Sequence, residues 1–116
     1  MARVTVQIEW PDDLQALPAN ARARITVEDT TRSDESSVVL GETLLDDLDP
    51  GRPAVAHVEV GVVDDAADLS VRVHVADASR KALGVEVGDL VSTRAYPVLT
   101  RGRGDSVVVG LSRVGS

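Results

Sequence analysis

The sequence of 116 residues is long enough to form one domain, 1–116, around a single buried core. It contains no cysteine, which excludes disulfide bonds, a thiol nucleophile, a cysteine-based zinc site and a lipid-modified cysteine in the chain as written. Its net charge of −7 disfavours nucleic acid and anionic membranes as partners, and no apolar run reaches the roughly 18 residues that insertion into a bilayer needs.

The apolar residues are unusually rich in valine, since 21 valines stand beside one tyrosine, one tryptophan and no phenylalanine. Valine is branched at Cβ, which restricts χ1 and favours the pleated backbone of a strand. The composition therefore favours a sheet whose core is filled mainly by valine.

The first two predicted strands, 3–10 and 21–28, each alternate apolar and polar residues. A period of two places the apolar side chains on one face, as in a strand with one buried side. The other face of the second strand is polar, and it is either part of a binding surface or solvated surface. Its residues are Arg22, Arg24, Thr26 and Glu28.

A short apolar stretch at 38–40 is predicted to be the third strand. The segment that follows, 42–49, places three leucines on one side of a helix, so we predict a single helical turn there. These leucines are Leu44, Leu45 and Leu48.

The fourth and fifth strands show the clearest alternation, at 56–62 and 69–75. The short connection between them suits a hairpin loop, so the two strands are predicted to pair in antiparallel fashion. The register is set by placing Val62 opposite Leu69, because opposed residues in such a pair have a constant sum of residue numbers.

That register predicts two cross-strand pairs on the outer face of the hairpin. Glu59 stands opposite Arg72, so that opposite charges meet. His57 stands opposite His74, and two imidazoles about 5 Å apart could ligate a transition metal. His57 and His74 are therefore the candidate metal ligands, and two partly exposed strand histidines without a metal are the alternative.

Two further strands are predicted at 90–95 and 107–112, and the connection 77–88 before them holds at most one helical turn. Seven short strands without a long helical pattern are typical of a sandwich. The predicted fold is all-β, a seven- to eight-stranded antiparallel β-sandwich of the transthyretin or immunoglobulin type, with at most one or two short helical turns.

Four segments carry a resemblance to a known family: LPA at 17–19, ARARITVEDT at 21–30, GDLVST at 88–93 and PVLTRG at 97–102. They resemble the YbaY/YscW family of small bacterial envelope lipoproteins, some of which act as pilot proteins for secretion-system components. The resemblance implies a β-sandwich that binds other proteins and has no enzymatic activity. The family's lipid-attachment cysteine and signal sequence are missing here.

The predicted function is a non-catalytic protein-interaction module, similar to a pilot protein or chaperone, whose partner is another protein. Strand addition at a sheet edge is the expected binding mode, because backbone groups there are unpaired. No enzymatic activity is expected, since the sequence has no G-x-S-x-G elbow and its two histidines lie on predicted strands. No cofactor is predicted.

Two alternative functions stay open on sequence alone. One is a small-ligand or metal-binding accessory domain that uses the face of His57 and His74. The other is a minor hydrolase built from aspartates in the loops. The expected location is cytoplasmic for the chain as written, or the cell envelope if a leader was removed.

Overall fold

A computed structural model describes residues 2–14, 16–18, 20–31, 37–61, 63–79 and 84–115 of the chain. The described residues form strands and turns and contain no α-helix, so none of them builds a helix capable of crossing a membrane. Seven strands follow one another along the chain: β1 Ala2–Glu9, β2 Ala21–Asp29, β3 Val38–Leu45, β4 Ala54–Val60, β5 Leu69–Asp77, β6 Leu90–Ser92 and β7 Ser106–Arg113.

The strands form one mixed sheet in the order β3-β2-β5-β6-β7-β1-β4. The sheet curls until its two edge strands approach each other, so it is nearly closed and barrel-like. The predicted all-β fold with seven strands is confirmed. One pair departs from the predicted antiparallel pattern, since β1 and β7 run parallel.

The core lies inside the curl and is filled by alternate residues of the strands, as the period of two predicts. Most of these side chains are valine, and valines suit a narrow interior because they are compact and stiff. The largest fully buried side chains are Ile8, Ile25, Leu90, Val4, Val6, Val27, Val58, Val60, Val71, Val73, Val75 and Val98.

The predicted hairpin of the fourth and fifth strands is wrong. β4 pairs with β1, and β5 pairs with β2 and β6, so the chain between β4 and β5 crosses from one half of the sheet to the other. Alternation shows which face of a strand is buried but not which strand lies beside it, and a hairpin was the shortest connection. Val62, which set the predicted register, lies outside the described residues.

The predicted helical turn at 42–49 is also wrong at its start, because Glu42–Leu45 is the second half of β3. Antiparallel pairing with β2 gives this segment a regular ladder of backbone hydrogen bonds on one side, with Leu44 opposite Arg24 and Leu45 opposite Ala23. That ladder outweighs the weak preference that three leucines give a single helical turn. The second predicted turn, at 77–88, falls partly outside the described residues.

The two edges of the sheet meet at β3 and β4. The hydroxyl of Thr43 donates a hydrogen bond of 2.7 Å to the carbonyl oxygen of His57. A Cβ atom built on Gly41 would lie 3.0 Å from the Cγ1 atom of Val58 and would collide with the carbonyl oxygen of Glu59. Glycine at position 41 therefore allows the close approach that nearly closes the sheet.

Candidate functional site

A groove of about 660 Å³ runs over the outer face of β2, β5 and β6. This volume lies within the range of sites that hold a ligand or a short segment of a partner. We call it the arginine groove, because three arginines line it together with hydroxyl, histidine and small apolar side chains. The lining residues are Arg24, Glu28, Thr30, Ser70, Val71, Arg72, Val73, His74, Gly84, Val85, Val91, Ser92, Thr93, Arg94 and Ala95.

Strand register brings the polar residues of the groove together. Arg24 of β2 lies opposite His74 of β5, and His74 in turn lies opposite Val91 of β6. Thr26 lies opposite Arg72 in the next outward position. Because alternate residues of a strand share a face, these side chains form rows across the floor of the groove.

His74 is held in the groove by a buried aspartate. Its Nε2 atom lies 2.8 Å from Oδ2 of Asp89, which is only 3% exposed. The same carboxylate oxygen accepts the backbone N–H of Glu86 at 2.9 Å, and the backbone of Asp89 pairs with Val114 of the chain end. These bonds fix the loop that forms one wall of the groove and orient the imidazole of His74.

Glu28 is a second buried carboxylate, and it lies beneath the arginines at 5% exposure. Its two oxygens accept hydrogen bonds from the hydroxyls of Thr26, at 2.6 Å, and Ser37. The guanidinium of Arg72 lies 3.7 Å away. Solvated surface, one of the two interpretations of the outer face of β2, therefore does not hold at Thr26 and Glu28, both of which are buried.

The environment of Glu28 holds the pKa of its carboxyl below the ordinary value. Burial acts in the opposite direction and raises this pKa, because it disfavours the charged form. The hydrogen bonds from Ser37 and Thr26, followed by the positive charges of Arg72 and Arg24, together outweigh burial. Glu28 is thus kept ionised and ties the start of β3 to β2.

Substitution of this carboxylate tests its role in stability. Because the folded protein binds the Glu28 proton less readily than the unfolded chain does, Glu28 stabilises the fold above pH about 4.3, the usual glutamate pKa. This contribution is lost as the pH falls through the lower pKa of the folded state. We expect Glu28→Gln to lower the free energy of unfolding by about 1–2 kcal/mol at pH 7 and by less at pH 3, measured by urea unfolding.

The exposed Glu9 offers a control for the Glu28 experiment. We expect Glu9→Gln to unfold at the wild-type urea concentration at pH 7, since substitutions of exposed residues away from such contacts have small effects. If Glu28→Gln and the wild type lost stability in parallel between pH 7 and pH 3, the account of Glu28 would be wrong.

The predicted partner of Arg72 was Glu59, and the structure corrects this pair. Glu59 lies on β4 and binds Arg3 of β1 at 2.6 Å, because β4 pairs with β1. Arg72 lies on β5 near Glu28 instead. The error follows directly from the wrong hairpin.

The predicted opposition of His57 and His74 is wrong for the same reason. His57 lies opposite Thr5 of β1, with its Nδ1 atom 3.2 Å from the threonine hydroxyl, whereas His74 binds Asp89. Among the residues that the structure describes, no three histidine, aspartate or glutamate side chains cluster as metal ligands. The metal hypothesis for His57 and His74 stays a prediction, now without the cross-strand pair on which it was based.

Two residues that shape the groove, Asp89 and Arg94, have no distinguishing signal in the local sequence. Asp89 follows a glycine in a turn, and nothing in the local pattern shows that it reaches a strand histidine 15 positions earlier. Arg94 lies just beyond β6, within the stretch 90–95 that the sequence predicts to be a strand. The outward alternation of β2 and β5 was the one signal that pointed to this face.

Comparisons with known proteins identify the fold but not a family. No protein-family model matches the chain, and no curated protein matches its sequence. Among solved structures, it is similar to "Structure of an alternative pilotin from the type II secretion system of Vibrio cholerae", with a TM-score of 0.73 and 15% identity. The match covers 98% of this chain and 97% of that chain. The two proteins share a fold, whereas membership of the YbaY/YscW family is not shown.

Proposed function

We propose that the chain is a non-catalytic protein-binding module of the pilot-protein type, and that the arginine groove receives its partner. The observation that carries this proposal is the match to a pilotin of a type II secretion system over nearly the full length of both chains. The sequence resemblance to envelope pilot proteins points the same way. The proposal includes action at the cell envelope on another protein of a secretion system.

The groove has the chemistry of a surface that binds protein. Val85 on its wall is 55% exposed although it is apolar, and the arginines and hydroxyl groups lie around it. An apolar contact flanked by hydrogen-bonding groups is the usual composition of such an interface. Arginine is also enriched where binding energy is concentrated.

The polar groups of the groove support a non-catalytic role. The hydroxyls of Ser92 and Ser70 accept backbone N–H groups from Val73 and Tyr96, both at 3.1 Å. Each serine thus ties two chain segments together. Across the described part of the chain, the hydrogen bonds of the structure link no hydroxyl group to the His74 ring, whereas an activated nucleophile needs such a base.

Site-directed crosslinking tests the proposal, because the chain has no native cysteine. A photo-reactive group attached to Val85→Cys should crosslink a specific protein in the producing cells, since position 85 lies on the groove wall. Val108→Cys is the matched control. It is also an exposed valine, at 49%, but it lies on β7 outside the groove.

We expect one partner to be captured through position 85 and not through position 108. Capture of the same protein through position 108 alone would show that the chain binds its partner by a different face. Absence of a specific crosslink at both positions would overturn the proposed use of the groove.

A further inference from the structure

Most of the arginines that the structure describes are engaged by carboxylates of the chain, as expected for a protein with a net charge of −7. Arg22 binds Asp46 at 2.8 Å, and Arg101 binds Asp68 at 3.0 Å. Two arginines of the groove, Arg72 and Arg94, differ from these in how their guanidinium groups are held.

Arg94 is oriented by an aromatic ring. Its Nε atom donates a hydrogen bond of 3.2 Å to the hydroxyl of Tyr96, and its guanidinium carbon lies 5.4 Å from the centre of the Tyr96 ring. Stacking of this kind restrains the planar group without neutralising its charge. Among the described residues, the structure pairs Arg94 with no carboxylate.

Arg72 has a carboxylate nearby but no hydrogen bond to it. Its Nε atom lies 3.7 Å from Glu28, which is beyond hydrogen-bond distance, and both oxygens of Glu28 are already engaged by hydroxyl groups. The side chain of Arg72 is 67% exposed. Because Arg72 also lines the groove, its exposed N–H donors are available to an incoming acceptor.

From this geometry we infer that the arginine groove recognises a carboxylate, so that its occupant is an acidic segment of a partner protein. A carboxylate matches the planar donor groups of Arg94 and Arg72, and such charge-assisted hydrogen bonds are among the strongest in proteins. Val85 and Val91 provide an apolar contact beside it. The inference rests on the proposed function and adds the chemical class of the partner.

Short peptides blocked at both ends provide the probes. In one peptide glutamate alternates with valine, and in two others glutamine or lysine replaces the glutamate. The titration is followed by NMR on the backbone amides and on the arginine Nε–Hε signals. We expect the glutamate peptide to shift the Arg94 and Arg72 signals and to bind at least about fivefold more tightly than the glutamine peptide in low salt.

Variants locate the contact on the two arginines. Arg94→Gln and Arg72→Gln should each weaken binding of the glutamate peptide by about threefold to tenfold. Arg52→Gln is the matched control. Arg52 is an exposed arginine near Asp49, outside the groove, so its substitution should leave the affinity unchanged. Thermal unfolding of each variant confirms that it is folded.

Equal binding of the glutamate and glutamine peptides, or unchanged affinity in Arg94→Gln and Arg72→Gln, would overturn the inference. The inference would also be overturned if inorganic phosphate shifted the Arg94 signal at a lower concentration than the glutamate peptide did. The groove would then be a phosphate site. If the glutamine or lysine peptide bound in the groove instead, the acidic partner would be wrong while the groove kept its proposed role in binding protein. If no peptide bound, the inference would fail, and crosslinking through position 85 would decide the proposed function separately.

Discussion

Tyr96→Ala is expected to lower the free energy of unfolding by about 3–5 kcal/mol, the usual cost of truncating a buried aromatic side chain. Tyr96 is 7% exposed and joins two strands that are distant in sequence. Its backbone binds β5, where Val71 donates to its carbonyl oxygen at 3.0 Å. Its hydroxyl accepts the N–H of Gly110 on β7, also at 3.0 Å. Truncation removes both the buried ring and the link to β7.

Tyr96→Phe is the matched variant, because it keeps the ring and removes only the hydroxyl. We expect a loss of about 1 kcal/mol, since the N–H of Gly110 loses this acceptor. Urea unfolding at pH 7 measures both variants. A Tyr96→Ala protein within about 1 kcal/mol of the wild type would contradict the placement of this ring in the core.

Gly41→Val is expected to destabilise the protein by about 3 kcal/mol, toward the upper end of what overpacking costs. A side chain at position 41 collides with the backbone oxygen of Glu59, which cannot move aside as a flexible side chain would. β3 must then move away from β4, and the near closure of the sheet is lost. Gly41→Ala should show a smaller loss in the same direction.

Gly61→Ala is the control, because a Cβ atom there has no neighbour within 4 Å. Its stability should stay within about 0.5 kcal/mol of the wild type. Circular dichroism thermal melts of the three variants provide the comparison. If alanine at 41 and at 61 had the same effect, β3 and β4 would not approach each other as closely as the structure shows.

The inward faces of the strands could be predicted from sequence because burial follows the period of two. Val4, Val6 and Ile8 of β1 are all fully buried, as their alternation indicates. The same pattern predicts Val109 and Leu111 of β7 as buried, and both are. Which face of a strand is buried depends only on the residues of that strand, so the local sequence is enough to predict it.

Strand neighbours could not be predicted in this way, because pairing is a property of the whole chain. Val58 and Val73 are both buried, and either a hairpin or the observed crossing between sheet halves would bury them. The sequence favours the hairpin because it is the shorter connection. The wrong pairs of His57 with His74 and of Glu59 with Arg72 both follow from that predicted hairpin.

The arginine groove could not be predicted either, because it depends on which strands are neighbours in the sheet. Its floor exists only because β5 lies between β2 and β6, which brings Arg24, His74 and Val91 into one row. The burial of Glu28 likewise requires Ser37 to lie over it, nine positions further along the chain. A buried carboxylate among alternating polar residues has the same sequence pattern as an exposed one.

Once crosslinking has identified the partner, amide hydrogen exchange can be measured on the chain alone and on its complex with the purified partner. The comparison of the two tests most directly whether the groove binds protein. We expect slower exchange in the partner complex at the groove rim, residues 84–85 and 93–95. We expect no change around Val55 and Val108, which face outward on β4 and β7. Slower exchange confined to the surroundings of Val55 and Val108, with the rim of the groove unchanged, would show that the partner binds outside the groove.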